Sequence, residues 1–387
     1  MTDSRHILVL SRDRGSMQAI LPVALSLSSV AAVKVSVVAM EVSRTLCERQ
    51  GISAEYLPSE EFQDDPVGVI GALLKRYQPS LILSGSSPAR GPLPETPEQY
   101  AIVEGHRQGI PSVAVLDFWG MYHERFVAEG DQVSLDLLPD VLCVLDICCQ
   151  TDLLALGVPA SRMRVTHNPW LGSVARESLA PPVPSPLTQG VSGLCVVFVS
   201  QPLAETGGGR HWPYDQNQVL TFLLNALPVS SDMRHRILVW PHPAERPGRW
   251  VNVALHGRSD VEVIVTEERG ASVLAHVDLV AGSHSTLLYE ALYHGTPVVS
   301  LRPVNNCLSS GQTDKLGLSL PFEHPGLLAE YLAKMNPKAE RFRLLKENQV
   351  LLAKRIFFSD GEATRRVTDI LLRQLSLSAD SAKEALV

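Results

Sequence analysis

The sequence predicts an α/β protein made of two Rossmann-like domains joined by a proline-rich linker. Three observations carry this. Short apolar runs alternate with segments of helical period along most of the chain, an order that requires parallel strands with crossover helices. The alternation breaks once, at Pro181-Pro182-Val183-Pro184-Ser185-Pro186, and then restarts. The length of 387 residues exceeds one compact core and suits two domains of roughly 100 to 200 residues each. The expected limits are residues 1–180, a linker over 181–193, and residues 194–387 with the C-terminal helices.

Each element follows from local pattern. Ile7 to Ser11 is a short apolar run, the Arg12–Ser16 stretch a loop, and Met17 to Ser28 carries apolar residues at helical spacing. Val33 to Met40 reads as a second strand and Pro66 to Tyr77 as a helix with proline at its first turn. Leu81 to Gly85 is a strand running into a glycine turn, Tyr100 to Gln108 a helix stopped by Gly109, and Ser112 to Leu116 a strand. Val141 to Leu145, Cys148 to Leu156 and Arg164 to Thr166 repeat the unit as strand, helix and strand. Beyond the linker, strands are expected at Leu194–Ser200, Arg236–Trp240, Val261–Val265, Leu279–Ala281 and Val298–Ser300. Helices are expected at Gln216–Leu227, Gly270–His276 and Thr286–His294. Helical text from Pro325 to about Leu375 is expected to cap the second sheet, with enough length to reach back across both domains.

Composition narrows the function. With 34 Lys+Arg against 41 Asp+Glu the formal net charge is −7, and no basic run is present to neutralise a phosphate backbone, so nucleic acid is not an expected partner. The 45% hydrophobic content against 19% charged residues fills large cores and excludes a disordered chain. No run reaches the roughly 18 residues of a membrane span, and the N-terminus lacks a cationic segment followed by an apolar region. The six cysteines show no CxxC or metal-type spacing and read as buried thiols of a reducing cytoplasm. No metal and no cofactor are expected.

Open α/β sheets bind ligands at the carboxyl ends of their strands, which directs attention to the loops there. Asp13-Arg14-Gly15-Ser16 follows the first strand, where glycine admits a close approach and a helix N-terminus offers N–H groups. Trp240-Pro241-His242-Pro243-Ala244-Glu245 restricts His242 between two prolines at a strand end. Gly282-Ser283-His284-Ser285-Thr286, opening the helix that carries Glu290, converges hydroxyls and helix N–H groups on one point, as an anion site requires. Thr166-His167-Asn168-Pro169 precedes the linker and reads equally as a structural turn or as one wall of a cleft between the domains, where Glu205 and the Gly207-Gly208-Gly209-Arg210-His211 loop are also expected. Gly15 and Ser16 are expected on the opposite side of that cleft.

In this order of features, over roughly residues 5 to 300, the chain resembles the GT-B superfamily, whose two Rossmann-like domains face one another across a cleft. The run from Ser283 through Glu290 to Gly295-Thr296-Pro297-Val298-Val299 is similar to the donor-binding segment of lipid II-type N-acetylglucosaminyltransferases and of UDP-N-acetylglucosamine 2-epimerases. His242-Pro243 followed by Ser283 and Ser285-Thr286 also resembles the HP and Ser/Ser-Thr motifs of bacterial sialyltransferases and capsule polymerases. Glu104-Gly105 and Glu129-Gly130 are incomplete versions of the acidic motif of the sialyltransferases. The resemblance implies donor-phosphate contacts for His242, Ser283, Ser285 and Thr286, and by position for Pro243, His284 and Glu290.

The activity so implied is metal-independent transfer of a sugar, of hexosyl or sialyl type, from a UDP- or CMP-type nucleotide sugar to a glycan or glycoconjugate acceptor held by the N-terminal domain. His242 and the helix after Ser285 would stabilise leaving-group charge. The required base is expected to be Asp117, which follows the strand from Ser112 to Leu116, with Asp13 next and Glu104 behind it. Two other readings stay open. One is a nucleotide-sugar 2-epimerase or hydrolase using carboxylates such as Glu205 and Asp117, and the other is a non-catalytic sugar- or partner-binding protein of the same fold.

Overall fold

The computed structural model describes residues 5–128, 132–180, 182–205, 214–246, 248–250, 257–283, 285–303, 312–335, 340, 344, 347–349, 351–353 and 360–384. The chain divides into two compact units, residues Met1–Ser173 with Ser359–Val387, and Val174–Phe358.

The first unit is built on strands β1 (Arg5–Ser11), β2 (Val33–Met40), β3 (Ala54–Leu57), β4 (Leu81–Ser84), β5 (Ser112–Val115), β6 (Val141–Val144) and β7 (Met163–Val165). They form one parallel sheet in the order β3-β2-β1-β4-β5-β6-β7, with Ile7 opposite Val35 on one side and Leu81 on the other. Central parallel strands are covered on both faces, so they are written as unbroken apolar runs rather than alternating ones. Ile7 and Val9 pack to one face against helix α1 (Arg14–Ser28), and Leu8 and Leu10 to the other against Ile70, Leu73 and Leu74 of α2 (Pro66–Tyr77). Helix α3 (Pro97–Gln108) starts three residues before the expected Tyr100, because Thr96 and Gln99 form a capping box and Pro97 sits in the first turn. Helix α4 (Ile147–Leu156) is capped by Asp146, and α5 (Pro169–Glu177) follows β7.

The second unit carries β8 (Cys195–Val199), β9 (His235–Trp240), β10 (Val261–Val265), β11 (Leu279–Gly282), β12 (Val298–Leu301) and β13 (Leu320–Phe322), parallel throughout, in the order β10-β9-β8-β11-β12-β13. Helices α6 (Gln216–Ala226) and α8 (Pro325–Lys334) bury Leu220, Leu223, Leu328 and Leu332 against Phe198, Val239 and Val299. Helix α7 (Thr286–Tyr293) follows β11. Each sheet reverses its winding between its first and fourth strands, β1 and β4 in one and β8 and β11 in the other, and such a reversal opens a crevice at the strand carboxyl ends.

The last helix, α9 (Ala363–Glu384), packs in the first unit, where Val367, Leu371 and Leu375 are buried with Ile20, Val23 and Leu27. Its i, i+4, i+8 apolar stripe defines a face without naming the sheet it covers, and each such residue contributes roughly 1.5–3 kcal/mol on burial. The proline-rich segment lies on the second unit: the Ser185 N–H donates to the Ser272 carbonyl (3.0 Å), and His276 Nε2 lies 3.0 Å from the Pro182 carbonyl oxygen. Among the described residues no helix is long and apolar enough to cross a membrane.

Candidate functional site

In the first unit, polar groups converge at the carboxyl ends of β1, β4 and β5. Glu98, in the first turn of α3 and only 2% exposed, gathers them. Its Oε1 accepts from Ser11 Oγ (3.0 Å), the Arg12 N–H (2.9 Å) and Ser87 Oγ (2.6 Å), and Ser87 Oγ accepts the Asp13 N–H (3.0 Å). The loops after β1 and β4 are thereby tied to one carboxylate. Gly85 lies between them, and a Cβ there would stand 2.6 Å from Ser11 Oγ and 2.7 Å from Ser16 Cβ. Asp13 precedes α1 but makes no side-chain cap; its carboxylate faces the Arg12 guanidinium (3.1 Å), which also reaches Glu95 (3.0 Å) and the Pro88 carbonyl (2.6 Å).

Asp117, on the loop after β5, is next to this cluster. Its Oδ1 accepts from Arg125 Nη1 (2.8 Å), and the same nitrogen donates to Ser86 Oγ (2.9 Å). The Arg125 side chain is 2% exposed and that of Asp117 13%, so the carboxylate keeps one wet edge. A Cβ on Gly15 would stand 3.3 Å from Asp117 Oδ2. Glycine at position 15 therefore lets the first loop close on that carboxylate. Among the described residues, Glu98 Oε2, Arg125 Nε and Nη2, and Ser16 Oγ are buried with no hydrogen-bond partner. Unpaired buried polar atoms cost free energy, and four of them gather at this strand-end crevice.

Asn168 does structural work. Its Nδ2 donates to the Asp117 carbonyl (2.9 Å) and its Oδ1 accepts the Trp170 N–H (2.8 Å), so it caps α5 and holds the Asp117 loop. The neighbouring His167 has a left-handed φ of 65°, and burial, with Arg366 adding, lowers its pKa.

In the second unit, the His242 loop follows β9. The Glu245 N–H donates to the His242 carbonyl (2.9 Å), and the Ala244 N–H donates to His242 Nδ1 (3.1 Å), so Pro243 and Ala244 form a tight turn. Burial pushes the Glu245 carboxyl up, against hydrogen bonds from Ser200 and Trp250. After β11, Ser285 Oγ accepts the Leu287 N–H (3.2 Å), leaving the first N–H groups of α7 at the strand's carboxyl end. Thr286 is half-buried at the helix start and Glu290 is buried on its body. Ser283 is turned inward, its hydroxyl donating to the Leu301 carbonyl (3.1 Å). Just beyond, buried Arg302 pairs with Asp314. Glu205 accepts from Gln216 (2.7 Å) and Arg249 (2.8 Å); burial raises its pKa, but these partners outweigh it and hold the carboxyl below its ordinary value. Its lone pairs serve that scaffold. His284, Gly208 and Arg210 lie outside the described residues.

The structure thus brings together Asp13, Gly15, Ser16 and Asp117 in the first unit, and in the second it arrays His242, Pro243, Ser285 and Thr286 along the carboxyl end of one sheet. Sequence reasoning missed Glu98, Arg125, Ser86 and Ser87. The Ser84-Gly85-Ser86-Ser87 run carries the same strand-end glycine and hydroxyl signal as Gly282-Ser283, and would have pointed to the last two. Among the described residues no cluster of His, Cys, Asp and Glu has metal-holding geometry.

No family model and no curated protein matches the chain. Solved structures do. The S. aureus MnaA–UDP co-structure aligns with a TM-score of 0.70 at 14% identity, over 96% of this chain and 97% of that one. The UDP-GlcNAc 2-epimerase of Neisseria meningitidis bound to UDP-GlcNAc aligns at 0.66 and 14% identity, over 95% and 100% of the two chains. The Methanocaldococcus jannaschii UDP-GlcNAc 2-epimerase in complex with UDP-GlcNAc and UDP aligns at 0.65 and 11% identity, over 95% and 99%. The chain shares their two-domain, GT-B-type fold. The expected glycosyltransferase class is corrected by this result, since the enzymes named among these structures are 2-epimerases, and so is the likeness to sialyltransferases and capsule polymerases. Those short motifs describe a strand-end loop that opens a helix, a local feature that one fold lends to several chemistries.

Proposed function

We propose that the protein is a nucleotide-sugar 2-epimerase acting on a UDP-linked sugar. The observation that carries this reading is the carboxyl end of the second sheet, where the His242 turn and the capped N-terminus of α7 stand on a fold whose solved examples hold UDP and UDP-GlcNAc. Helix N–H groups and an imidazole N–H are donors suited to a diphosphate, and they stabilise charge that develops on it as the bond to the sugar weakens. Inverting a sugar carbon that carries hydrogen requires a group that removes the proton and a group that returns one. Asp117 is the carboxylate assigned to proton transfer, held by Arg125 and exposed along one edge. Asp13, engaged by Arg12, ranks below it.

The test is incubation with UDP-GlcNAc in deuterated water, followed by proton NMR. Deuterium entering the sugar at C2, together with a second UDP-sugar, supports the reading. Release of UDP with no exchange at C2 means hydrolysis. A thermal-shift series with UDP, CMP and GDP identifies the nucleotide, since a ligand of the native state raises the melting temperature by mass action; no shift with UDP would sink the proposal.

A further inference from the structure

The prolines at 241 and 243 restrict the backbone around His242 but leave its ring orientation and tautomer undetermined. The turn settles both. A backbone N–H can only donate, so the Ala244 N–H at 3.1 Å makes Nδ1 an acceptor, and the proton of the neutral ring sits on Nε2. This contact exists only while the chain folds back over residues 243 to 245. The near end of the turn is held by Arg269, which donates to the Pro241 carbonyl. The far end is held by Glu245, 9% exposed, whose carboxylate accepts from Ser200 Oγ at the end of β8 and from Trp250 Nε1 (2.6 Å). Trp250 is itself fixed edge-to-face against Phe198 of β8, with ring centroids 6.1 Å apart.

We propose that Glu245 is the positioning residue for His242: clamped between Ser200 and Trp250, its carboxylate holds the turn that brings the Ala244 N–H onto Nδ1, so that His242 acts as a neutral Nε2–H donor and not as a base. The tautomer and the clamp follow from this loop alone. Only the choice of UDP as probe rests on the function proposed above.

The experiment uses full-length protein with 15N-labelled histidine at about pH 8, where an ordinary imidazole is neutral. A His242→Asn variant identifies the His242 signals among the twelve histidines. Wild type is expected to show the Nε2–H tautomer. Glu245→Ala is expected to give averaged tautomers and to weaken UDP binding about tenfold, the worth of one good hydrogen bond. Glu245→Gln can accept from Trp250 and donate to the Ser200 oxygen, and should keep both properties within about twofold of wild type. Trp250→Phe, which keeps the ring and removes the donor, should loosen the tautomer in the same direction and decides the matter if Glu245→Ala does not fold. A wild-type tautomer in folded Glu245→Ala or in Trp250→Phe overturns the proposal, as do equal losses in the Gln and Ala variants, which would make charge the operative property. If wild type fails to bind UDP, the nucleotide reading falls while the tautomer measurement still decides the role of Glu245.

Discussion

Replacing Gly15 by alanine separates the chemistry of the first unit from its stability. Gly15 is the second residue of α1, where alanine is the better helix former by up to about 1 kcal/mol. The new Cβ would stand 3.3 Å from Asp117 Oδ2, closer than most such contacts, so the carboxylate must yield by a few tenths of an ångström. Its other oxygen is held at 2.8 Å by buried Arg125, so the strain falls on the orientation of this carboxylate. If misplacement by 1 Å costs roughly 100-fold in rate, a few tenths of an ångström cost roughly threefold to tenfold. The expected outcome is a melting temperature equal to or above wild type, with kcat for UDP-GlcNAc conversion lower by that factor and KM unchanged. Gly15→Val brings two further carbons against Asp117 and should fall beyond tenfold. Calorimetry and steady-state kinetics on the two variants, with Asp117→Asn as the inactive reference, supply the readings. Full activity in both variants beside an inactive Asp117→Asn would refute the idea that the first loop sets this carboxylate.

Three other outcomes are expected. Arg125→Met leaves the Asp117 carboxylate without its buried partner and should cost about 3 kcal/mol, the low end for a broken buried pair because Asp117 keeps some solvent; calorimetry should show a loss of roughly 6–12 °C, and a loss below about 2 °C would mean the pair contributes little. His235 accepts the Leu194 N–H at Nδ1 (2.9 Å), and burial lowers its pKa from 6.5, so the unfolded chain takes up its proton first as pH falls. Stability should therefore be full above pH 6.5 and decline as pH drops from there to the folded-state pKa, and denaturant midpoints that show the same slope in His235→Gln would assign that decline to other histidines. Burial pushes the thiols of Cys143 and Cys195 up to about 12 and that of Cys149 to about 11, while Cys148 is exposed. Among the described cysteines Cys148 should be alkylated first in native protein, as peptide mass analysis would read; modification of Cys143 at an equal rate would contradict its burial.

Strand and helix text was legible where apolar-rich runs stand between turn residues. Strand β2 at Val33–Met40, helix α2 at Pro66–Tyr77 and strand β10 at Val261–Val265 have the limits their patterns predicted, because apolar runs bounded by turn residues admit one assignment. Two of the four edge strands, β3 and β13, were not legible, while β7 and β10 at the opposite edges were. Strand β3, Ala54–Leu57, is half-buried and short, and β13, Leu320–Phe322, contains a proline, so neither carries the signal of a buried strand.

The chain by itself determined the two parallel sheets, the strand ends where polar groups gather, and the loops holding Asp13, Asp117, His242 and Ser285, because these depend on neighbours a few residues apart. Tertiary structure alone decided which of those groups meet. Glu98 reaches back 87 residues to Ser11, and α9 returns from the far end of the chain to cover the first sheet. It also turned Ser283, Glu205 and Asn168 toward their own scaffold. The physical reason is that periodicity states which face of an element is apolar, and chemistry states what a side chain can donate or accept, but neither names the partner. A hydrogen bond or an apolar contact is available to any complementary group that the fold brings within reach.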